Sequence, residues 1–220
     1  MYVILRRVKK AFALALAVIL VSSLRWTAGA SPAIDVEAAV ARLEALAGGP
    51  SAVALAPAID AYRRAVALGL VTNPKLLTII DYTRPSTEAR LWVLDLTLGK
   101  VLHRELVAHG RGSGDNLATK FSNSDGSHMS SLGLFVTDRS YLGQNGYSLR
   151  LRGLDPGVND HAFARAIVIH GAPYVSAAVA AELGRLGRSW GCPAVRMDVA
   201  RTLIDQIKGG TVVYAYGARG

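Results

Sequence analysis

Seven short apolar runs fill the chain between residues 76 and 216, and their length leaves little room for anything but a β-rich domain. Residues 76–80, 90–96, 101–107, 132–137, 148–152, 166–170 and 211–216 are rich in Val, Ile, Leu, Tyr and Trp. Clusters of Gly, Asp, Asn and Ser punctuate them, the residues that turn a chain because they accept unusual backbone angles or hydrogen-bond their own backbone. Leu98-Gly99-Lys100 lies between two runs and predicts a hairpin. Only two helices are expected in this region. One covers 176–183, and the other covers 199–208, capped by Asp198 and stopped by Gly209-Gly210.

Upstream the texture is helical. Val36, Ala39, Val40, Leu43 and Leu46 recur at helical spacing over 35–46, and Gly48-Gly49-Pro50 ends that helix. A second helix is expected over 57–68, with Pro57 in its first turn and Gly69 after its end. The expected organisation is therefore a leader at 1–30, a short helical lead-in at 31–74, and a mainly β domain of catalytic size at 75–220.

The net charge of +9 at first suggests a nucleic-acid partner, and its location removes the suggestion. Residues 1–30 hold Arg6, Arg7, Lys9, Lys10 and Arg25 and no acid, leaving 20 basic against 16 acidic residues, a net +4, over the rest. Four cations, the apolar run 11–21 and Ala28-Gly29-Ala30 follow the order of a secretory signal peptide. That run is too short to span a bilayer comfortably, so the mature chain is expected to start at Ser31, to be exported and to lack a membrane span. In an oxidising compartment a lone cysteine has no disulfide partner in its own chain, so Cys192 is an intermolecular, inert or reactive thiol.

The residues around it favour reactivity. Gly191 and Pro193 place Cys192 on a turn, where the N–H groups of Gly191 and Cys192 can face a ligand oxygen that gains charge during acyl transfer. Arg188, four residues back, is expected to lower the thiol pKa. The aliphatic run Ile167-Val168-Ile169 delivers His170 at a strand end, a rigidly held base. No other pattern carries comparable chemistry. The glycines of His109-Gly110-Arg111-Gly112-Ser113-Gly114 alternate and no helix follows, so this is a loop, not a phosphate cradle. The five histidines show no metal-ligand spacing, and one cysteine cannot form a thiolate cluster, so no metal and no cofactor are expected.

Ile169-His170-Gly171 followed by Ser189-Trp190-Gly191-Cys192 resembles the signature of the L,D-transpeptidases, the YkuD-like cysteine enzymes of peptidoglycan. It is closest to the proteobacterial form Gly-Arg-Ser-x-Gly-Cys-Pro-Ala, here residues 187–194. The likeness extends from about Leu76 to Tyr216, through Val107-Ala108-His109-Gly110, Ser130-Ser131-Leu132-Gly133 and Gly146-Tyr147-Ser148-Leu149. It implies a β-sandwich with a mixed sheet. It also implies Cys192 as nucleophile, His170 as base, the Gly171 carbonyl orienting the imidazole, and Gly191 and Cys192 amides as oxyanion hole. Arg188, Ser189 and Trp190 would then line the substrate. Trp190 stands where the family usually has histidine. Pro193 displaces the Asn and Arg that often follow the cysteine, and leaves Arg188 or Arg196 to replace that arginine.

The implied partners are peptidoglycan tetrapeptide stems, in the periplasm, with a second stem or a lipoprotein as acceptor. The alternatives are an L,D-carboxypeptidase or crosslink-cleaving hydrolase on the same scaffold, and a non-catalytic peptidoglycan-binding module.

Overall fold

The structure, a computed structural model, describes residues 34–46 and 48–218. The leader expected at 1–30 lies outside the described residues. Helices α1 (Val36–Glu44) and α2 (Ala52–Ala67) come first. Strands β1 (Leu76–Asp81), β2 (Leu91–Asp95), β3 (Lys100–Glu105), β4 (Gly133–Gly143), β5 (Gly146–Gly153) and β6 (Val168–Gly171) follow. Helix α3 (Ala177–Leu183), β7 (Ala194–Val195), α4 (Met197–Ile207) and β8 (Val212–Tyr216) complete the described chain.

The strands form one mixed sheet in the order β3-β2-β1-β8-β4-β5-β6-β7, parallel at β1–β8 and β6–β7 and antiparallel elsewhere. This is the mainly β class that the sequence pattern predicts, with the mixed sheet that the family resemblance implies. The layers expected of a sandwich are two halves of that single sheet, which curls until its edges nearly meet. Just beyond β3, the Ala108 N–H donates to the Ala194 carbonyl of β7 at 2.8 Å. Successive residues of a strand face opposite sides, so β1 splits its side chains between two cores. Leu76 and Ile80 join the inner core with Val93, Phe135, Leu149 and Val168, closed by Leu203, Ile204 and Ile207 of α4. Leu77 and Ile79 join the outer core, where Leu43 of α1 and Leu55, Ala58, Ile59 and Tyr62 of α2 cover the sheet. The indole N–H of buried Trp92 donates to the Gly48 carbonyl at 2.9 Å and fixes those helices to β2.

Several boundaries differ from expectation for physical reasons. Helix α2 begins at Ala52, with Pro57 inside it, because Ala54 and Leu55 belong to the buried stripe. Proline there removes the N–H that would bond the carbonyl of Val53, a residue on the exposed side of the helix. The N-cap of α4 is Arg196, not Asp198, which lies in the first turn and accepts from the Arg196 guanidinium at 2.8 Å. Strand β4 runs on to Gly143 because β5 continues to pair with it past a shift in register between Thr137 and Ser140.

The entrance to β4 is held by one side chain. Fully buried Asn159 donates to the Leu132 and Leu134 carbonyls at 2.8 and 3.0 Å and accepts from the Asp155 N–H at 2.9 Å. Replacing it with alanine takes this partner from the Leu132 carbonyl and the Asp155 N–H, while the Leu134 carbonyl keeps the Leu154 N–H. Asn159→Ala is expected to lower unfolding free energy by about 2–4 kcal/mol in urea titrations, since an orphaned buried polar group loses its full solvation.

Candidate active site

Strand β6 carries His170 at its end because Ile167, Val168 and Ile169 anchor it in the inner core. The parallel ladder sets His170 opposite Ala194, two residues beyond Cys192, and Gly171 opposite Val195. The imidazole is 4% exposed, and its Nδ1 faces the Gly171 carbonyl at 2.9 Å. A carbonyl only accepts, so Nδ1 carries the proton and Nε2 is left as the basic nitrogen. Burial pushes the His170 pKa below the usual histidine value, partly offset by the Gly171 carbonyl, so the ring is a neutral base at pH 7.

The turn that carries Cys192 is pinned from three sides. Ser189 is buried, and its hydroxyl donates to the Cys192 carbonyl at 2.6 Å while accepting from the Gly191 N–H at 3.1 Å. Ser130 Oγ donates to the Gly191 carbonyl at 3.0 Å and accepts from the Gly110 N–H at 3.0 Å. Gly110 lies directly against this turn. A Cβ there would sit 2.8 Å from Gly191 Cα and collide with the His128 carbonyl, so only glycine permits the approach. Gly191 itself has φ +122, a conformation open to glycine.

Cys192 is 8% exposed, and its thiol turns inward. Sγ accepts from the Val168 N–H at 3.5 Å and donates to the Ala166 carbonyl at 3.7 Å; no hydrogen bond to His170 is formed. Burial pushes the thiol pKa up, opposed by the Val168 N–H and the charge of Arg165. The expectation that Arg188 lowers this pKa is corrected here. Arg188 pairs with Asp115 at 3.2 Å and donates to the Gly114 carbonyl at 3.0 Å. Arg196 is likewise engaged, with Glu105 at 3.0 Å. Of the residues expected to line the substrate, Trp190 is 69% exposed. The His128 ring stacks on it at 4.8 Å and the Arg111 guanidinium lies 5.7 Å from its ring centroid. Among the described residues no group of three His, Cys, Asp or Glu side chains could hold a metal.

Sequence reasoning missed the polar layer beneath the turn. Arg90 is fully buried and donates to the Val107 carbonyl at 2.8 and 3.0 Å, to the Arg84 carbonyl at 2.8 Å, and to His109 Nδ1 at 2.7 Å. Its cation also lies 5.2 Å from the Tyr82 ring centroid. An arginine in a strand-forming run and a histidine in a glycine-rich loop give no sign that they meet.

A family model described as L,D-transpeptidase catalytic domain matches residues 50–216, which include β6, the turn at Cys192 and all of this polar layer. The chain belongs to the L,D-transpeptidase catalytic domain family. The family acts on peptidoglycan stem peptides. Among solved structures, the chain is similar to an L,D-transpeptidase from Mycobacterium smegmatis, at 14% identity and TM-score 0.40, over 65% of this chain and 59% of that one. It is similar also to L,D-transpeptidase 1 of Mycobacterium tuberculosis, at 14% identity and TM-score 0.37, over 65% and 62%. A third is the helical cell shape determining protein Pgp2 of Campylobacter jejuni, at 12% identity and TM-score 0.43, over 66% and 48%. The chain thus spans less than two thirds of the length of each of these proteins. No curated protein matches it.

The buried His109 gives this L,D-transpeptidase-family domain an acid limit. Burial, and then the Arg90 cation, hold its pKa down to about 4. The unfolded chain protonates the same imidazole near the ordinary value of about 6.5. Between the two the unfolded state binds more protons, so the stabilisation is complete above the upper value and is lost as pH falls toward the lower. Urea unfolding from pH 7 to pH 4 should show a loss of up to about 3 kcal/mol. His109→Asn, which keeps an acceptor for Arg90, should flatten that dependence.

Proposed function

We propose that the chain is an exported L,D-transpeptidase that transfers peptidoglycan stem peptides through a thioester on Cys192. The observation that carries this reading is the joint placement of His170 and Cys192. A neutral imidazole with its basic nitrogen free stands on the strand paired with the segment that follows the only cysteine. The Cys192 side chain turns about its Cα–Cβ bond from Ala166 toward His170, and His170 Nε2 takes the thiol proton. The thiolate attacks the carbonyl of the third residue of a tetrapeptide stem. A C–S bond forms, the C–N bond to the terminal D-alanine breaks, and the leaving amine takes the proton held by His170. An amine of a second stem or of a lipoprotein then attacks the thioester and returns the thiol. Two moderate barriers replace one high one.

The N–H of Cys192 is the proposed first donor to the oxyanion. Gly191 can join it only by releasing Ser189 Oγ, its partner in the resting turn. Trp190, exposed beside the nucleophile, offers a ring for the substrate to lie on, whereas Arg188 and Ser189 support the turn from within. Export rests on the composition of residues 1–30; among the described residues no helix is long and apolar enough to cross a membrane.

Carbapenem β-lactams, which resemble the acyl donor, should add to Cys192 at one equivalent by intact-protein mass spectrometry and peptide mapping. Cys192→Ser should stay folded and form no adduct. His170→Ala should slow adduct formation by roughly 10²–10⁴-fold, the range for loss of general-base assistance, while His161→Ala stays near the parent rate. Absence of any adduct on the parent protein would overturn the acyltransferase reading in favour of a wall-binding module. Product analysis with a tetrapeptide substrate separates transfer to an amine from hydrolysis, since water gives a tripeptide and no crosslink.

A further inference from the structure

Arginines crowd around the nucleophile turn, and all but one of those near it are already committed. Arg185 and Arg188 share Asp115 at 2.9 and 3.2 Å, and Arg196 is paired with Glu105 and Asp198. Arg111 lies against the exposed Trp190 ring. Arg90 donates only to neutral groups, Val107, Arg84 and His109, but its cation faces the Tyr82 ring and is not among the charges that act on the Cys192 thiol. Arg165 differs. Its guanidinium donates only to neutral acceptors, the Ser122 and Met129 carbonyls at 2.7 and 2.8 Å and the Ser131 and Ser127 hydroxyls at 2.7 and 3.1 Å. It takes part in no ion pair among the described residues, and Asp125 acts on it only at longer range. Four hydrogen bonds therefore fix its position without neutralising its charge.

That charge is aimed at the nucleophile turn. Arg165 Nη2 lies 3.5 Å from where a Gly191 Cβ would stand, and the Ala166 carbonyl next in the chain receives the Cys192 thiol. We propose that Arg165 is a positioning residue for the reaction. It is the fixed cation that stabilises the Cys192 thiolate during acyl transfer, in place of an arginine after the cysteine. The inference rests on Cys192 being the nucleophile. An opposite charge a few ångströms from an ionising group favours its charged form, and partial burial weakens screening by salt. The other titratable groups around the thiol do not supply a cation. Tyr82, just after β1, and Tyr174, beyond β6, are both pushed up to about 12, first by burial and only then by a charge at Cys192, and His170 is held neutral. The charge of Arg165 is accordingly among the influences that lower the thiol pKa against its burial.

The test is the pH profile of iodoacetamide alkylation of Cys192 in the full chain, with circular dichroism and thermal unfolding as fold controls. Arg165→Gln should raise the alkylation midpoint by about one pH unit and slow alkylation at neutral pH roughly tenfold. Arg165→Lys, which keeps the charge with fewer hydrogen bonds, should stay within a few tenths of a unit of the parent. Ser127→Asp gives Arg165 a carboxylate without removing the clamp, and should raise the midpoint even if Arg165→Gln fails to fold. A parent-like midpoint in folded Ser127→Asp overturns the inference. So does a lysine variant that shifts as far as the glutamine variant, since geometry rather than charge would then be responsible. If the parent still forms the carbapenem adduct while these midpoints stay fixed, only Arg165's role fails. If the parent forms no adduct, the acyltransferase reading fails first.

Discussion

The hydrogen bond from Ala108 to Ala194 is short, local and made of backbone alone, yet the arrangement of the site depends on the closure that it marks. A strand at a sheet edge carries unpaired N–H and C=O groups that must be satisfied or covered. Here the edge strand β7 has only two residues, and it is paired on one side by β6 and met on the other by the chain leaving β3. The segment 107–114 is thereby laid along 189–194. Arg111 N–H donates to the Ser189 carbonyl, and Ser189 N–H donates to the His109 carbonyl. The turn at Cys192 is clasped between two stretches of chain far apart in sequence and needs no regular element of its own.

Beneath that clasp, polarity takes the place of oil. Most of the inner core is aliphatic, but the wall below residues 189–192 is built from Tyr82, Arg90, His109, Ser113 and Ser130. Such a layer is unfavourable to bury unless every donor finds an acceptor, and a satisfied layer holds its members in few arrangements. Ser130 shows the economy of this solution, since one hydroxyl accepts from Gly110 and donates to Gly191. The same polar wall ties the site to acid conditions, because His109 accepts the Arg90 proton only while its imidazole is neutral.

Much of the strand content was legible because period, length and punctuation are local properties. The hairpin at Gly99, the strand bearing His170 and the α3 boundary at Ser176, whose hydroxyl accepts from Val179 N–H, all follow from their own few residues. Strand β7 was not legible, since Ala194 and Val195 are extended only because β6 and Ala108 hold them there. Nor was the start of α2, where burial against β1 and β8 outweighs the proline. Within the candidate site, the strand end at His170 and the turn at Cys192 could be read from their neighbours. The arginine could not. Arg188 is near Cys192 in sequence and turned away from it, whereas Arg165 is distant in sequence and beside it, a relation that only the β6–β7 pairing creates.

The Trp190–His128 stack gives the domain a built-in optical gauge. Indole emission responds to solvent exposure and is quenched by a protonated imidazole in contact with the ring. The chain has three tryptophans: Trp26, outside the described residues, Trp92, sealed in the outer core, and Trp190, two residues from the thiol on the surface. His128 holds a left-handed backbone, φ +53, in the loop whose Met129 carbonyl is bonded to Arg165. Displacement of that loop would therefore alter the brightness or colour of Trp190, so movement beside the candidate site can be followed by light without attaching a dye.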